Sequence, residues 1–446
     1  MKVLLISGNT AESPYPVYPL GLSIVARSLR LKGHEVSQFD ILHQERALDR
    51  LTDRLKAFRP DAVGISIRNI DNVNLVHELR YLDRVRDMVA TIRTAGPIPI
   101  VVGGSGFSLM PEKILAHVAA DYGIQGEGEE AFDRLLQLLA RGEKPPARIV
   151  RADRPLPAPA IAGADYDPEL LAFYLQKSRL IPIQTKRGCA RTCAYCTYPV
   201  LEGATIRPRP VDEVIAEMQS LLSGTTQDGF FFVDSLFNDP GGTYRTLIRE
   251  MARRGVSFPW TAFFAPSPEL DDEIVALMKK TGLRSVEIGA DAMSDSTLAA
   301  LNKGFRFRDV AAANELFLRH GISTAHFYMA GGPAETPESL EEGIQNVLSL
   351  RRTVNFFFLG IRIIPHTPLY RQAVAEGVLT GDENLLEPTY YLSPHVDRHW
   401  MQRRLAEAFA DQPHCVFPAD KFDDKLQTLF RLGLPLDESY RLLRRE

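Results

Sequence analysis

Over residues 1–140, short apolar runs alternate with stretches whose apolar residues recur at helical spacing. Lys2–Ser7 is an apolar run of strand length, and Leu20–Leu31 keeps a helical period until Gly33 stops it. Further strands are expected at Glu35–Asp40, Ala62–Ile67, Ile98–Val102 and Tyr122–Ile124. Helical patterns over Glu45–Phe58, Val73–Arg93, Pro111–Val118 and Glu129–Leu139 separate or follow them. Strands alternating with helices predict a doubly wound parallel sheet, an α/β fold that binds ligands at the carboxyl ends of its strands.

The pattern breaks at residues 142–179, where Pro145, Pro146, Pro155, Pro157, Pro159 and Pro168 predict an extended connector. It resumes with strands at Leu180–Lys186, Phe230–Asp234, Trp260–Phe264, Ser285–Gly289, Ser323–Tyr328 and Asn355–Ile363. Helices are expected at Val211–Leu222, Tyr244–Arg254, Asp271–Thr281, Ser294–Leu301, Phe307–Arg319 and Pro337–Leu350. Six such units predict an open (β/α)6 partial barrel rather than a closed eight, with its chemistry on the loops after the strands. Helices near Trp400–Ala410 and Lys421–Leu432 form a small tail that closes the open side. The expected division is a doubly wound, Rossmann-like domain over 1–141, a linker over 142–179, the barrel over 180–370 and a C-terminal region over 371–446.

Composition narrows the partners. A net charge of −4 and a pI near 6.2 provide no basic field for nucleic acid. No run of apolar residues is long enough to span a membrane. The start reads as a first strand rather than a signal peptide, and four cysteines in 446 residues suit a reducing cytoplasm.

Three of those cysteines lie together, Cys189, Cys193 and Cys196, as C-x3-C-x2-C, while Cys415 is remote. Three thiolates on one loop can hold three irons of a four-iron cluster and leave the fourth iron open to a ligand. Structural zinc would need a second distant pair, which the sequence lacks.

The loop resembles that of the radical S-adenosylmethionine (SAM) superfamily, C-x3-C-x-aromatic-C, matched by Cys189, Cys193, Tyr195 and Cys196. The resemblance implies a [4Fe–4S] cluster on the three cysteines, whose open iron chelates SAM and whose electron cleaves it to a 5′-deoxyadenosyl radical. Phe231–Asn238, Ser285–Ala292, Met329–Thr336 and Arg362–Leu369 follow in the order of the family's later strand-end segments. By that resemblance Tyr195, Asp234, Ser235, Glu287, Gly331 and Ile363 contact SAM. Asp234 and Ser235 would take its amino group, Glu287 its ribose, Gly331 the adenosyl group and the backbone at Ile363 or Ile364 the adenine.

The first 140 residues are similar to the cobalamin-binding domain of one large subfamily. The similarity rests on Pro19-Leu20-Gly21, Val102-Gly103-Gly104 and Gly126-Glu127-Gly128-Glu129. It implies cobalamin contacts at Ser66, Arg68, Asn69, Gly103, Gly104, Ser105, Gly126, Glu127 and Gly128. The D-x-H-x-x-G motif that supplies a histidine to cobalt is absent, so base-off cobalamin without a histidine ligand is expected. Arg68 either faces the cobalt, where a protonated guanidinium cannot ligate, or pairs with Asp71 or a cobalamin amide.

The family implies a cobalamin-dependent radical SAM methyltransferase that moves a methyl from SAM via methylcobalamin to a carbon activated by the 5′-deoxyadenosyl radical. The alternatives are an oxidative cyclase or rearrangement enzyme of the same build, and a radical SAM enzyme whose N-terminal sheet is a docking module without cobalamin. Expected partners are a small-molecule, lipid or peptide substrate and an electron donor such as flavodoxin or ferredoxin, with no nucleic acid and no membrane span.

Overall fold

In the computed structural model, which describes residues 1–152, 154–224 and 229–443, the two expected α/β units are two parallel sheets. The first has the spatial order Glu35–Asp40, Lys2–Ser7, Ala62–Ser66, Ile100–Gly103, Tyr122–Gln125, Ile149–Arg151. The order reverses between Lys2–Ser7 and Ala62–Ser66, and at such a switch point neighbouring loops diverge and leave a crevice. Register places Ser7 beside Ser66 and Ser66 beside Gly103, so three small residues end three adjacent strands in one row.

The second sheet is parallel throughout, in the order Leu180–Ile183, Gly229–Phe232, Trp260–Phe264, Leu283–Asp291, Ser323–Ala330, Thr353–Leu359, Cys415–Val416. Alternate residues of these strands face the helix layer. Phe232, Trp260, Ala262, Phe264, Val286 and Ile288 form a core there with Leu247, Ile274 and Phe317 from the helices. The C-terminal helices Asp423–Arg431 and Leu436–Leu443 pack their apolar faces with Ala325, Val354 and Phe356. Among the described residues no helix is long and apolar enough to cross a membrane.

Four local expectations need correction. The helix expected from Val73 begins only at Leu82. Before it, side-chain carbonyls take the backbone N–H groups a helix would need: Asp71 accepts from Val73, Asn74 from Val76 and His77, and Asn72 from Leu79. The connector is not wholly extended, since Ile149–Arg151 adds a sixth strand to the first sheet. Pro168–Ser178 is a helix whose Asp167 cap accepts from Glu169 and Leu170, an Asp-Pro start that the proline count obscured. The last long strand stops at Gly360, φ +71°, and Ile361–Arg362 instead pairs antiparallel with Tyr390–Tyr391.

Candidate functional site

The cysteine loop is fastened from several sides. Gly188 has φ +92°, and a Cβ there would lie 2.1 Å from the Thr205 carbonyl oxygen, so only glycine allows the crossing. Gly188 N–H donates to Glu202 (3.0 Å), and Cys189 N–H donates to the Gly203 carbonyl (3.0 Å). Ala194 N–H donates to the Leu301 carbonyl, and the Ala194 carbonyl accepts from Leu369 N–H. Cys189 and Cys193 are buried, Cys196 is half-buried, and none is in a disulfide. Burial pushes the Cys193 thiol up, with Lys303 and Arg191 pulling against it, and pushes Cys196 up to about 12. Buried thiols of this kind ionise when a metal supplies the positive charge. Among the described residues no three ligating side chains converge on a single ion. A four-iron cluster asks instead for thiolates spread over separate irons, and the donor set fits that group.

Asp234, expected to meet SAM, is fully buried with both oxygens occupied. They accept from Thr185 N–H (2.7 Å), the Thr185 hydroxyl (2.5 Å), Lys186 N–H (3.1 Å) and the Lys186 ammonium (3.2 Å). Asp234 therefore anchors the strand entering the loop and presents no free carboxylate. Ser235 donates to the Gly188 carbonyl (3.0 Å) at the loop itself.

The carboxylate beside the cluster loop is Asp291, which sequence reasoning missed as a site residue. At φ +67° it ends its strand, accepts from the Tyr195 hydroxyl (2.5 Å) and forms a close ion pair with Lys303. Burial works against the Lys303 ammonium, but Asp291 and Cys193 outweigh it and hold its pKa above the ordinary value. Glu287 lies four residues earlier, roughly 13 Å back along the strand, where it accepts from the Tyr440 hydroxyl (3.0 Å). It does not share the Tyr195–Asp291–Lys303 group.

Gly331 and Ile363 both contact the C-terminal region. A Cβ on Gly331 would meet Leu392 at 2.7 Å and Met401 at 2.9 Å, so the space this glycine leaves is filled by the C-terminal region. Ile363 N–H donates to the Thr389 carbonyl, and its carbonyl accepts one bond from Arg362 and keeps a second lone pair. Ile364 is the residue that reaches a cavity.

That cavity, about 580 Å³, is the switch-point crevice, and it collects Ser66, Arg68, Asn69, Gly103, Gly104, Ser105, Gly126, Glu127 and Gly128. Its far wall comes from the second unit, with Gln184, Arg187, Thr197, Tyr198 and Glu202 around the cysteine loop. Gly104 and Gly106 are required by backbone rather than by open space. At φ +100°, a Cβ on Gly104 would lie 2.6 Å from the Ile67 carbonyl oxygen, and one on Gly106 would lie 2.9 Å from that of Arg68. The Ser105 hydroxyl donates to the Arg68 carbonyl (3.1 Å). The glycine run thus presses against the Arg68 turn and fixes it.

Arg68 is solvent-exposed and lines the cavity. Desolvation by the surrounding walls lowers its pKa, while Tyr198, Tyr174 and Tyr15 face it. Pairing with Asp71 does not occur, because Asp71 is buried against Arg362 (2.9 Å). Glu127 lines the cavity as expected, but its carboxylate is engaged within the protein. Its carboxylate accepts from Arg187 (3.0 Å), Arg207 (2.9 Å) and Leu156 N–H (2.5 Å), which locks the first sheet to the strand before Gly188.

Two polar atoms in the lining, Asn9 Oδ1 and Asn69 Oδ1, are buried without a partner. No histidine is among the lining residues; His34 and His43 face Asp133 and Glu169. The cavity continues between sheet and helices past Leu5, Gly64, Val101 and Phe132, a slot for which the sequence carried no signal beyond Gly64 itself. Orphan amide oxygens, an unpaired guanidinium and a deep slot fit a large ligand with many amide donors and a protruding tail, as cobalamin is.

Comparison with known proteins agrees with this geometry. The B12 binding domain family matches residues 6–136 and the Radical SAM superfamily matches residues 183–346. Tryptophan 2-C-methyltransferase of Streptomyces laurentii is 27% identical, covering 85% of this chain and 76% of that one. Bacteriochlorophyllide d C-12(1)-methyltransferase of Chlorobaculum tepidum is 24% identical over 79% of this chain and 73% of its own. The structure of the radical SAM methyltransferase TsrM from Kitasatospora setae, with cobalamin and a [4Fe–4S] cluster bound, has the same fold. It superposes with a TM-score of 0.86 at 23% identity, covering 99% of this chain and 97% of that one. With a B12-binding sheet and a cysteine-bearing barrel sharing one cavity, the chain belongs to the cobalamin-dependent radical SAM enzymes.

Proposed function

We propose that the protein is a cobalamin-dependent radical SAM methyltransferase acting on a carbon centre of a small molecule. The observation that carries this is the shared cavity. Arg68 and the Gly103–Ser105 turn form one wall, and Thr197, Tyr198 and Glu202, next to the cysteine loop, form the other. When bound, cobalamin would carry the methyl group and the cluster would supply the electron that cleaves SAM.

The chain's own residues bind, orient and shield. Cys189, Cys193 and Cys196 would hold the cluster in a loop clamped by Gly203, Leu301 and Leu369. Asp291, supported by Tyr195 and Lys303, would accept hydrogen bonds from SAM, and Ser235, which donates to the Gly188 carbonyl, would hold the loop that carries the cluster. Arg68 would face the cobalt. As a guanidinium without a carboxylate partner it stays protonated, cannot ligate, and disfavours positive charge on the metal. That placement and the absence of histidine from the cavity lining support base-off cobalamin without a histidine ligand. An external donor of flavodoxin or ferredoxin type would approach where Ala190 and Thr192 of the loop are exposed, in the cytoplasm, and the substrate carbon would be activated by the 5′-deoxyadenosyl radical.

Anaerobic reconstitution with iron, sulfide and hydroxocobalamin tests the reading. About four irons and one cobalt per chain are expected, with a product heavier by one methylene group and 5′-deoxyadenosine released alongside it. Four irons without cobalt would overturn it, and a product that has only lost hydrogens would identify a cyclase.

A further inference from the structure

Two strand ends of the first sheet carry side-chain amides that the protein leaves unanswered. Register sets Ser7 beside Ser66, and Gly8 continues the approach, its N–H donating to the Ser66 carbonyl (3.0 Å). Asn9 follows directly. It is 5% exposed, lines the switch-point cavity, and buries its Oδ1 without a partner. Asn69, three residues beyond Ser66 on the adjoining strand end, also lines the cavity with a buried, unpartnered Oδ1. Neither amide nitrogen donates to a protein group among the described residues.

The donors that share this lining are committed elsewhere. The Ser105 hydroxyl donates to the Arg68 carbonyl (3.1 Å), and the Ser108 hydroxyl donates to the Gly104 carbonyl (2.9 Å). Gly106 N–H donates to the Ile67 carbonyl (2.9 Å), and Arg187 is held by Glu127 and Glu129. Arg68 has no carboxylate, yet it reaches neither amide oxygen. A buried amide oxygen without a donor costs stability, and a leucine of similar shape would avoid that cost. A polar group kept unpaired on the wall of a cavity marks the place where a ligand supplies the partner.

The amide itself says which partner. It presents one accepting edge and one donating edge, and a primary carboxamide answers both with two hydrogen bonds. An ionised carboxylate only accepts. It could take the N–H, but would set its own lone pairs against Oδ1. The rim of a corrin carries primary carboxamides, so the wall matches the group that the cavity fits.

We propose that Asn9, with Asn69 from the adjoining strand end, is a binding residue that recognises a rim carboxamide of the corrin. It thereby selects a fully amidated corrinoid over one with a carboxylate at that position. The inference rests on the cobalamin part of the methyltransferase reading and adds which derivatives of the cofactor the site accepts.

The test is equilibrium binding to the full-length chain, reconstituted with iron and sulfide and read by visible absorption. The probes are hydroxocobalamin and its monocarboxylate derivatives, each with one rim carboxamide replaced by a carboxylate. Wild type should bind at least one monocarboxylate weaker than hydroxocobalamin by about tenfold or more. The Arg68 charge alone would produce the opposite order. Asn9→Leu should bind hydroxocobalamin about tenfold weaker than wild type does and should no longer discriminate against that monocarboxylate. Before any cofactor is added, Asn9→Leu should resist urea at least as well as wild type, because it removes an unpaired buried polar group. Loss of a structural amide would lower that resistance. Asn69→Leu should move both readouts in the same directions. Equal binding of every probe to wild type, an Asn9→Leu protein with undiminished affinity, or one that unfolds more easily without cofactor would each overturn the proposal. Wild type that retains cobalt without discriminating overturns this inference alone, whereas wild type that retains no cobalt overturns the methyltransferase reading as well.

Discussion

At the seam between the two sheets Glu127 accepts from Arg187 and Arg207, and Glu129 pairs with Arg187 at 2.6 Å, whereas on its barrel strand Glu287 has only the Tyr440 hydroxyl and in the cavity Arg68 has no carboxylate. Both regions carry charge. Along the seam opposite charges neutralise one another and fix one domain on the other. At Glu287 and Arg68 no opposite charge of the protein is in place. Asp234 and Asp291 differ in another way: Thr185 and Lys186 occupy both oxygens of Asp234, whereas Lys303 and Tyr195 share one oxygen of Asp291 beside the cysteine loop. Type and burial therefore do not identify a functional charge in this molecule; which of its oxygens or nitrogens the protein leaves unpaired is the more telling feature.

The comparison breaks most visibly at the seam. Arg187→Ala leaves Glu129 without its cation, Glu127 keeping Arg207, and should cost about 3–5 kcal/mol in stability. Thermal unfolding would read the loss, and iron retention should fall with it because Arg187 adjoins Gly188 and Cys189. An Arg187→Ala protein as stable as wild type would place the seam with Glu287 and Arg68, which have no ion pair.

Glu287→Gln should act in the opposite direction. A carboxyl raised to about 7 when folded, from an ordinary value near 4.5, binds more protons folded than unfolded between those values. Wild type thus loses stability as pH rises through that window, by roughly 2–3 kcal/mol. The glutamine variant should show no such loss, so urea unfolding at pH 5 and pH 8 should diverge for wild type and agree for the variant.

Gly104→Ala drives a Cβ into the Ile67 carbonyl at φ +100° and should cost about 1–3 kcal/mol. It also displaces the turn that carries Arg68, so cobalamin retention should drop even where the fold survives. Arg68→Gln removes a charge that no protein group compensates, and should change stability by less than about 0.5 kcal/mol while altering the visible spectrum of bound cobalamin. A large stability loss there would place Arg68 among the paired charges.

Strand and helix alternation, the cysteine loop and the glycine turns at the strand ends were legible in the chain, because they depend on neighbours a few residues apart: periods of 2 and 3.6, and loop spacings. The Asx turns at Asp71 and Asn74 hid behind an apolar helical pattern, since a side chain capturing a nearby N–H leaves the hydrophobic period intact. Ile149–Arg151 was read as connector because it becomes a strand only by pairing with Gly123–Gln125.

Which carboxylates were free could not be read at all. Glu127 meets Arg187 60 positions away, Asp234 meets Thr185 49 away, and Glu287 meets Tyr440 153 away. Sequence by itself determined the elements and the cysteine chemistry, because backbone periodicity and loop ligation are local. Only the tertiary structure decided which charges are satisfied, because a lone pair is filled by whatever the fold brings within about 3 Å of it.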